Sequence, residues 1–429
     1  MSRQGQGGAN FATCAALSLV VLFAAAPYTS AQNEATSANE LRERELRSIL
    51  RLSPLLPPPP DPSNAYADNA DAASFGKRLF FDKRLSASGE MSCATCHAPA
   101  LAWRSGDRVV DVESLFPKNA PSLRNSAYNR WFYWDGRADS AWSQALGPLE
   151  NEREMASSRL ALLHRIRLDP TLRGAYSKVF GAFPPAVDDP KRFPPAARPV
   201  DDEPEHPLQR AWASMTDDDR HAANVVFSNI GKAIAAFERG IVVGETAFDQ
   251  FVARLRQGDD TPSKAFSASA LRGLKLFVGR GDCTLCHSGS NISDGEFHDV
   301  GIALGAHYRV DPGRHRGVLT LLQSPFTRTG EYADAVTDSA PVQFLDAQTH
   351  QLGQFKTPTL RGVADTAPYM HDGRFDTLEQ VVRFYSTRDG ASPLGHPSTL
   401  LQPLNLSETE IGDLVAFLRA LGARDGNAR

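Results

Sequence analysis

Sulfur is scarce in this sequence. Of 429 residues only five are cysteine and five methionine, and four of the cysteines fall in two short runs, Cys93-Ala94-Thr95-Cys96-His97 and Cys283-Thr284-Leu285-Cys286-His287. Histidine is missing altogether between His97 and His164. Long apolar stretches are absent except for Phe11 to Ala26, which is short for a membrane span. No excess of either charge is present, and a net charge of -4 argues against nucleic acid as a partner. Strand-like alternation is rare as well, so the expected fold is mainly α-helical.

What is present is organised around the two cysteine runs. The spacing Cys-x-x-Cys-His is that of covalent haem c attachment, in which both thiols bond to the porphyrin and the adjacent imidazole ligates the iron. A zinc knuckle would need four converging ligands, and a thioredoxin-like redox pair has no use for the trailing histidine. Two such runs in one chain point to a di-haem c-type cytochrome with His97 and His287 as proximal ligands.

The fifth cysteine, Cys14, belongs to an N-terminal segment with Arg3 ahead of the apolar run and small residues at Thr29-Ser30-Ala31. This is the pattern of a signal peptide over residues 1–31, cleaved near Ala31, and it implies export to the periplasm of a chain without a free thiol or a stable membrane insertion. An uncleaved anchor is the alternative. Residues 32–70, which include Pro57 to Pro60, read as a disordered Pro-rich linker. The first haem domain is expected over 71–262, with a Pro-rich surface insertion at 183–207, and the second over 263–429.

The two domains read as copies. Gly76-Lys77-Arg78-Leu79-Phe80 leads into the first motif and Gly273-Leu274-Lys275-Leu276-Phe277 into the second. Downstream, Pro121-Ser122-Leu123-Arg124 and Trp134-Asp135-Gly136-Arg137 return as Pro358-Thr359-Leu360-Arg361 and His371-Asp372-Gly373-Arg374, each 237 residues later and without a gap. Thr216 opens a long helix with an apolar face through Val225, Ile230, Ile234, Ala235 and Phe237, expected to end at Gly240 and to bridge the domains. The capping boxes at Thr377–Gln380 and Ser407–Glu410 open two more.

From Ala72 to Leu421 the chain resembles the di-haem bacterial cytochrome c peroxidase and MauG family. The residues that carry the likeness are both haem motifs, Leu85-Ser86, Asn119-Ala120-Pro121, Phe132-Tyr133-Trp134-Asp135-Gly136-Arg137-Ala138, Gln144 to Pro148, Glu154-Met155 and Pro368-Tyr369-Met370-His371-Asp372-Gly373. The resemblance implies that haem 1 meets hydrogen peroxide, that haem 2 passes or stores electrons, and that a calcium ion lies between them. It places Trp134 between the haems, Gln144 and Glu154 over the peroxide-binding face, and Asn119, Thr366 and Pro368 at the calcium. Heterolysis of an O–O bond needs a group that takes a proton from one oxygen and delivers it to the other, which Glu154 can do. Read alone, Glu154 is first a solvated acid in an acidic run and only the resemblance reverses that, while Trp134 is equally a core aromatic. Trp103, Trp131 and Trp142 could extend a hole-hopping route or simply pack.

Peroxidases of this family cap the resting first iron with a histidine from the loop after the motif, and here that loop has none, so haem 1 is expected to be open. The family's distal ligand position over haem 2 falls on Tyr385, with Met370 as the alternative; the residue 237 positions earlier is Pro148, which has no donor atom. A phenolate favours ferric and higher states. The ligand pattern is therefore closest to MauG and MbnH, which share oxidising equivalents between the haems and oxidise a partner protein. A peroxidase drawing electrons from a small cytochrome or cupredoxin, and a non-enzymatic electron-transfer cytochrome, are the other two readings.

Overall fold

The computed structural model describes residues 43–108, 116–302, 311–336, 340–392 and 397–422; the expected signal peptide and Cys14 lie outside them. Helices carry the fold. In chain order they are α1 (Glu43–Arg51), α2 (Ala70–Phe81), α3 (Cys93–Cys96), α4 (Ala141–Glu150), α5 (Arg159–Leu168), α6 (Pro170–Phe180), α7 (Pro207–Ala213), α8 (Asp217–Glu238), α9 (Ala247–Leu255), α10 (Ala268–Val278), α11 (Gly313–Gln323), α12 (Ala340–Gln343), α13 (Leu378–Thr387) and α14 (Glu408–Arg419). Among the described residues the only sheet is the antiparallel pair β1 (Phe297–His298) and β2 (Phe355–Lys356), in the register Phe297 opposite Lys356 and His298 opposite Phe355. No helix of the described residues is long and apolar enough to cross a membrane.

Apolar burial concentrates in two cores. One gathers Phe75, Leu79, Trp142, Leu163, Phe227 and Ile234 from α2, α4, α5 and α8; the other gathers Phe251, Leu274, Phe277, Val382, Leu414 and Phe417 from α9, α10, α13 and α14. Each core is built on one close helix crossing. A Cβ at Gly76 of α2 would stand 1.8 Å from the Ala233 carbonyl oxygen of α8, and one at Gly273 of α10 would stand 1.9 Å from the Asp413 oxygen of α14. Only a residue without a side chain admits that approach. The glycines hold the same place in the two leading helices, so the duplication extends to how the helices pack.

The downstream repeat is equally literal. α4 and α13 begin and end 237 residues apart, and their N-caps, Ser140 and Thr377, accept from the backbone N–H of the third helical residue. The isolated bridges Phe132–Ala138 and Tyr369–Phe375 correspond, as do the ion pairs Asp135–Arg137 at 3.0 Å and Asp372–Arg374 at 2.6 Å.

Several sequence expectations change on packing grounds. Part of the expected linker is ordered: α1 and the turn after it place Ile49 and Leu52 in the second core. Its charges hid two apolar residues three apart. The boundary at 262/263 does not follow the cores either, because Phe248, Phe251 and Val252 of α9 lie in the second, while Phe326 and Tyr332 lie in the first. α8 does not bridge; it is capped by Thr216 as expected but packs on α2, α4 and α5, ends at Glu238, and leaves Val225 exposed. The insertion 183–207 is irregular, yet Val187, Phe193 and Ala197 plug the first core. Such lone anchors leave no periodic signal.

Candidate functional site

Each Cys-x-x-Cys-His run folds into a single turn. The histidine N–H donates to the first cysteine's carbonyl at 2.9 Å in both, His97 to Cys93 and His287 to Cys283. Beyond the turns, His97 Nδ1 lies 3.2 Å from the Trp103 carbonyl and His287 Nδ1 lies 3.2 Å from that of Ile292. A carbonyl only accepts, so each Nδ1 carries its hydrogen and each Nε2 is left with a lone pair for a metal. Burial holds both imidazoles below the ordinary histidine value, in the neutral form that ligates iron. Two thiols on one turn beside an oriented, neutral imidazole fit a covalent haem c at each run. Zinc is a poor fit: among the described residues the one group of three metal donors is Cys286, Asp294 and His298, which omits His287 and all of the first run.

Around the first motif the structure gathers α4 and the turns on either side of it. Glu154 lies close enough that its charge, after burial, raises the Cys96 thiol pKa. Its Oε1 accepts from Asn151 Nδ2 at 2.7 Å, and Asn151 caps the end of α4. Tyr133, to which the sequence assigned no role, belongs to this group. Its hydroxyl donates to the Gln144 carbonyl at 3.0 Å, and the Arg137 guanidinium lies 3.4 Å from its ring centre. Burial raises the Tyr133 phenol pKa and the Glu154 charge adds to that, against the opposing Arg137, so it stays a protonated donor. Glu154 and the Gln144 backbone thus both neighbour Tyr133.

Around the second motif the equivalent helix is α13. Tyr385 projects toward the attachment cysteines, whose charges are among the causes that, after burial, push its phenol up to about 12. Arg388, 5.9 Å from the ring centre, opposes them. Among the described residues the Tyr385 hydroxyl has no hydrogen-bond partner. Pro148 stands at the same position of α4, inside the helix. Met370, the alternative ligand, is in the turn before Gly373 with φ +70, and its repeat mate is Tyr133.

The two halves meet at Trp134 and Asn119. Trp134 Nε1 donates to the Asn119 carbonyl at 2.8 Å, and Asn119 N–H donates to the His371 carbonyl at 2.8 Å. Asn119 Nδ2 is taken by the Arg108 carbonyl at 2.8 Å, which leaves its Oδ1 free of hydrogen bonds among the described residues. The carbonyls of Thr366 and Pro368 are free in the same sense, while the Thr366 hydroxyl donates to Val363 at 3.0 Å. Amide and carbonyl oxygens are the donor type that a hard cation such as calcium takes. Of the remaining tryptophans, Trp142 donates to Ser63 Oγ at 3.0 Å, Trp131 lies under Arg314, and Trp103 packs edge-on to Phe80 and Phe237.

The chain is similar to several known proteins. The family model described as di-haem cytochrome c peroxidase matches residues 70–257. The methylamine utilization protein MauG of Methylorubrum extorquens is 30% identical over 95% of this chain and 94% of its own, and cytochrome-c peroxidase IdrP1 of Denitromonas iodatirespirans is 33% identical over 86% and 87%. The crystal structure of a MauG-like protein associated with microbial copper homeostasis superposes with a TM-score of 0.56 at 25% identity, covering 87% of this chain and 95% of that one. With two haem-attachment turns on a duplicated helical scaffold and full-length likeness to these oxidoreductases, the chain belongs to the di-haem cytochrome c peroxidase and MauG family.

Proposed function

We propose that this protein is a periplasmic oxidase that takes hydrogen peroxide at an open first haem and uses both haems to oxidise a partner protein, in the manner of MauG. The observation that carries this reading is the difference between two helices of equal length and matching N-caps: α13 has Tyr385 where α4 has Pro148. On this reading the helix over the second site supplies a distal donor and the helix over the first does not. Bound haem c supplies a redox-active iron at each site for the electrons of the peroxide reaction.

The protein's own groups would act as follows. His97 and His287 would ligate the irons, each imidazole fixed through its Nδ1. Glu154 takes the proton from one peroxide oxygen and delivers it to the other. Asn151 keeps the carboxylate turned for that transfer. Gln144 lines the same face, and Trp134, anchored through its indole N–H, lies on the route between the haems. Asn119, Thr366 and Pro368 would hold a calcium ion that ties the halves together across this route. Tyr385 as phenolate would disfavour a ferrous second haem, which makes a poor relay from an ordinary donor and a good store of an oxidising equivalent.

The relatives named cytochrome-c peroxidase keep the alternative of a small cytochrome or cupredoxin as electron donor in view. The deciding experiment mixes the diferric holoprotein with one equivalent of peroxide and follows its spectrum with and without a reduced small cytochrome. A long-lived oxidised state that the cytochrome barely shortens supports protein oxidation. Fast catalytic turnover of the cytochrome assigns the protein to the peroxidases.

A further inference from the structure

The repeat operation acts across the junction as well as within each half. Asn119 and Lys356 are equivalent positions, and so are Trp134 and His371, each pair being 237 residues apart. Asn119 N–H donates to the His371 carbonyl and Lys356 N–H donates to the Trp134 carbonyl, both at 2.8 Å. Arg314 Nη1 donates to the Gly136 carbonyl, and Arg108 Nη1 to that of Gly373, so the two equivalent glycines each accept from an arginine of the other half. The halves therefore exchange hydrogen bonds reciprocally, about a local pseudo-twofold. At this symmetric place the side chains differ: the first half presents a neutral amide and the second an ammonium.

That ammonium is uncompensated. Lys356 is 9% exposed, and among the described residues its Nζ has no hydrogen bond and no ion pair. The carboxylate whose charge reaches it, Asp294, is already bound to His298 Nε2 at 2.8 Å. Lys118, the other amine at this junction, has its own partner in Asp311. Four polar side-chain atoms of the described residues are sealed without a partner, Ser126 Oγ, Arg198 Nε, Arg328 Nε and Arg388 Nη1, and Lys356 Nζ is not one of them. The amine therefore keeps a little accessible surface in a residue that is otherwise buried. A buried charge without a neighbouring anion is costly. Burial accordingly holds the Lys356 amine down to about 8.

The anion that fits is one the cofactor brings. We propose that Lys356 is a haem-binding residue whose ammonium pairs with a propionate carboxylate of a haem at the junction. In the first half, at the same repeat position, Asn119 has only an oxygen to offer; in the second half the chain supplies the positive charge itself. The inference rests on the haems being bound at the two motifs and not on which partner the protein oxidises.

A cation paired to a propionate favours the reduced haem, so its loss lowers that haem's midpoint potential. The test compares full-length diferric wild type with Lys356→Met and Lys356→Arg by spectroelectrochemistry, resolving the two haems, with resonance Raman of the propionate bending modes. The expected result for Lys356→Met is a fall in one haem's reduction equilibrium of about tenfold, 59 mV for one electron, with that haem's propionate mode shifted and Lys356→Arg close to wild type. The haem that moves is the one held. If Lys356→Met fails to fold, Lys356→Gln replaces it in the same comparison. Unchanged potentials and Raman modes overturn the proposal. So does an equal fall in both haems accompanied by lost helicity, which marks a merely structural residue.

Discussion

Asp249→Asn tests how the second haem loop is anchored. Arg361 is 2% exposed and grips Asp249 through two hydrogen bonds of 2.9 Å, while its Nη2 also reaches the Leu52 carbonyl and its Nε the Ser290 carbonyl, three residues past His287. Burial alone would raise the Asp249 pKa. The Arg361 hydrogen bonds and charge, with the Ser53 and Thr246 hydroxyls, outweigh it and hold the group at about 2. Against a usual value near 4, and at about 1.4 kcal/mol per pH of separation, ionisation of Asp249 contributes on the order of 2–3 kcal/mol. Because the folded value is the lower one, that contribution is present above about pH 4 and is lost as pH falls toward 2. Asparagine leaves the buried guanidinium unpaired at every pH, at a cost of about 3–5 kcal/mol near neutrality. Thermal unfolding of the holoprotein, followed by circular dichroism, should show a large gap between wild type and variant at neutral pH that narrows below about pH 4. Proteolysis within 43–64 should rise in the variant, because Leu52 and Ser53 share this anchor. A gap under about 1 kcal/mol at neutral pH, or one that does not narrow in acid, refutes the argument.

Serine at Cys93 and Cys96 should remove the mass of one haem from the exported chain, and the same change at Cys283 and Cys286 the mass of the other; an intact mass without two haems in the wild type would end the haem assignment. Glu154→Gln should slow the reaction with peroxide by roughly 10²- to 10⁴-fold while leaving cyanide binding to the first haem intact, as for loss of a general acid-base group. Tyr385→Met should raise the second haem's potential and introduce a thioether ligand spectrum; a spectrum identical to wild type would show that Tyr385 is not the ligand. Gly273→Ala should cost about 1–3 kcal/mol, the usual range for overpacking, since its methyl would enter the Asp413 backbone. A melting curve matching wild type would mean the α10–α14 crossing is looser than it stands.

The sequence by itself determined the haem attachment, the duplication and the starts of α8, α13 and α14. The Cys-x-x-Cys-His turns and the caps at Thr216, Thr377 and Ser407 work through neighbours within a few residues, so they are written locally, and the 237-residue repeat is visible in the residues themselves. Because the repeat has no gap, it also paired Tyr385 with Pro148 before any helix was placed. Tertiary structure alone decided which elements share a core: α1 and α9 with the second, Phe326 and Tyr332 with the first. It also decided that Tyr133 joins the Glu154 face and that Lys356 stands unpaired at the junction. Those outcomes depend on contacts between residues tens to hundreds of positions apart. Neither hydrophobic period nor capping records such a contact, because burial and charge compensation exist only once the distant partner, or the cofactor, has arrived.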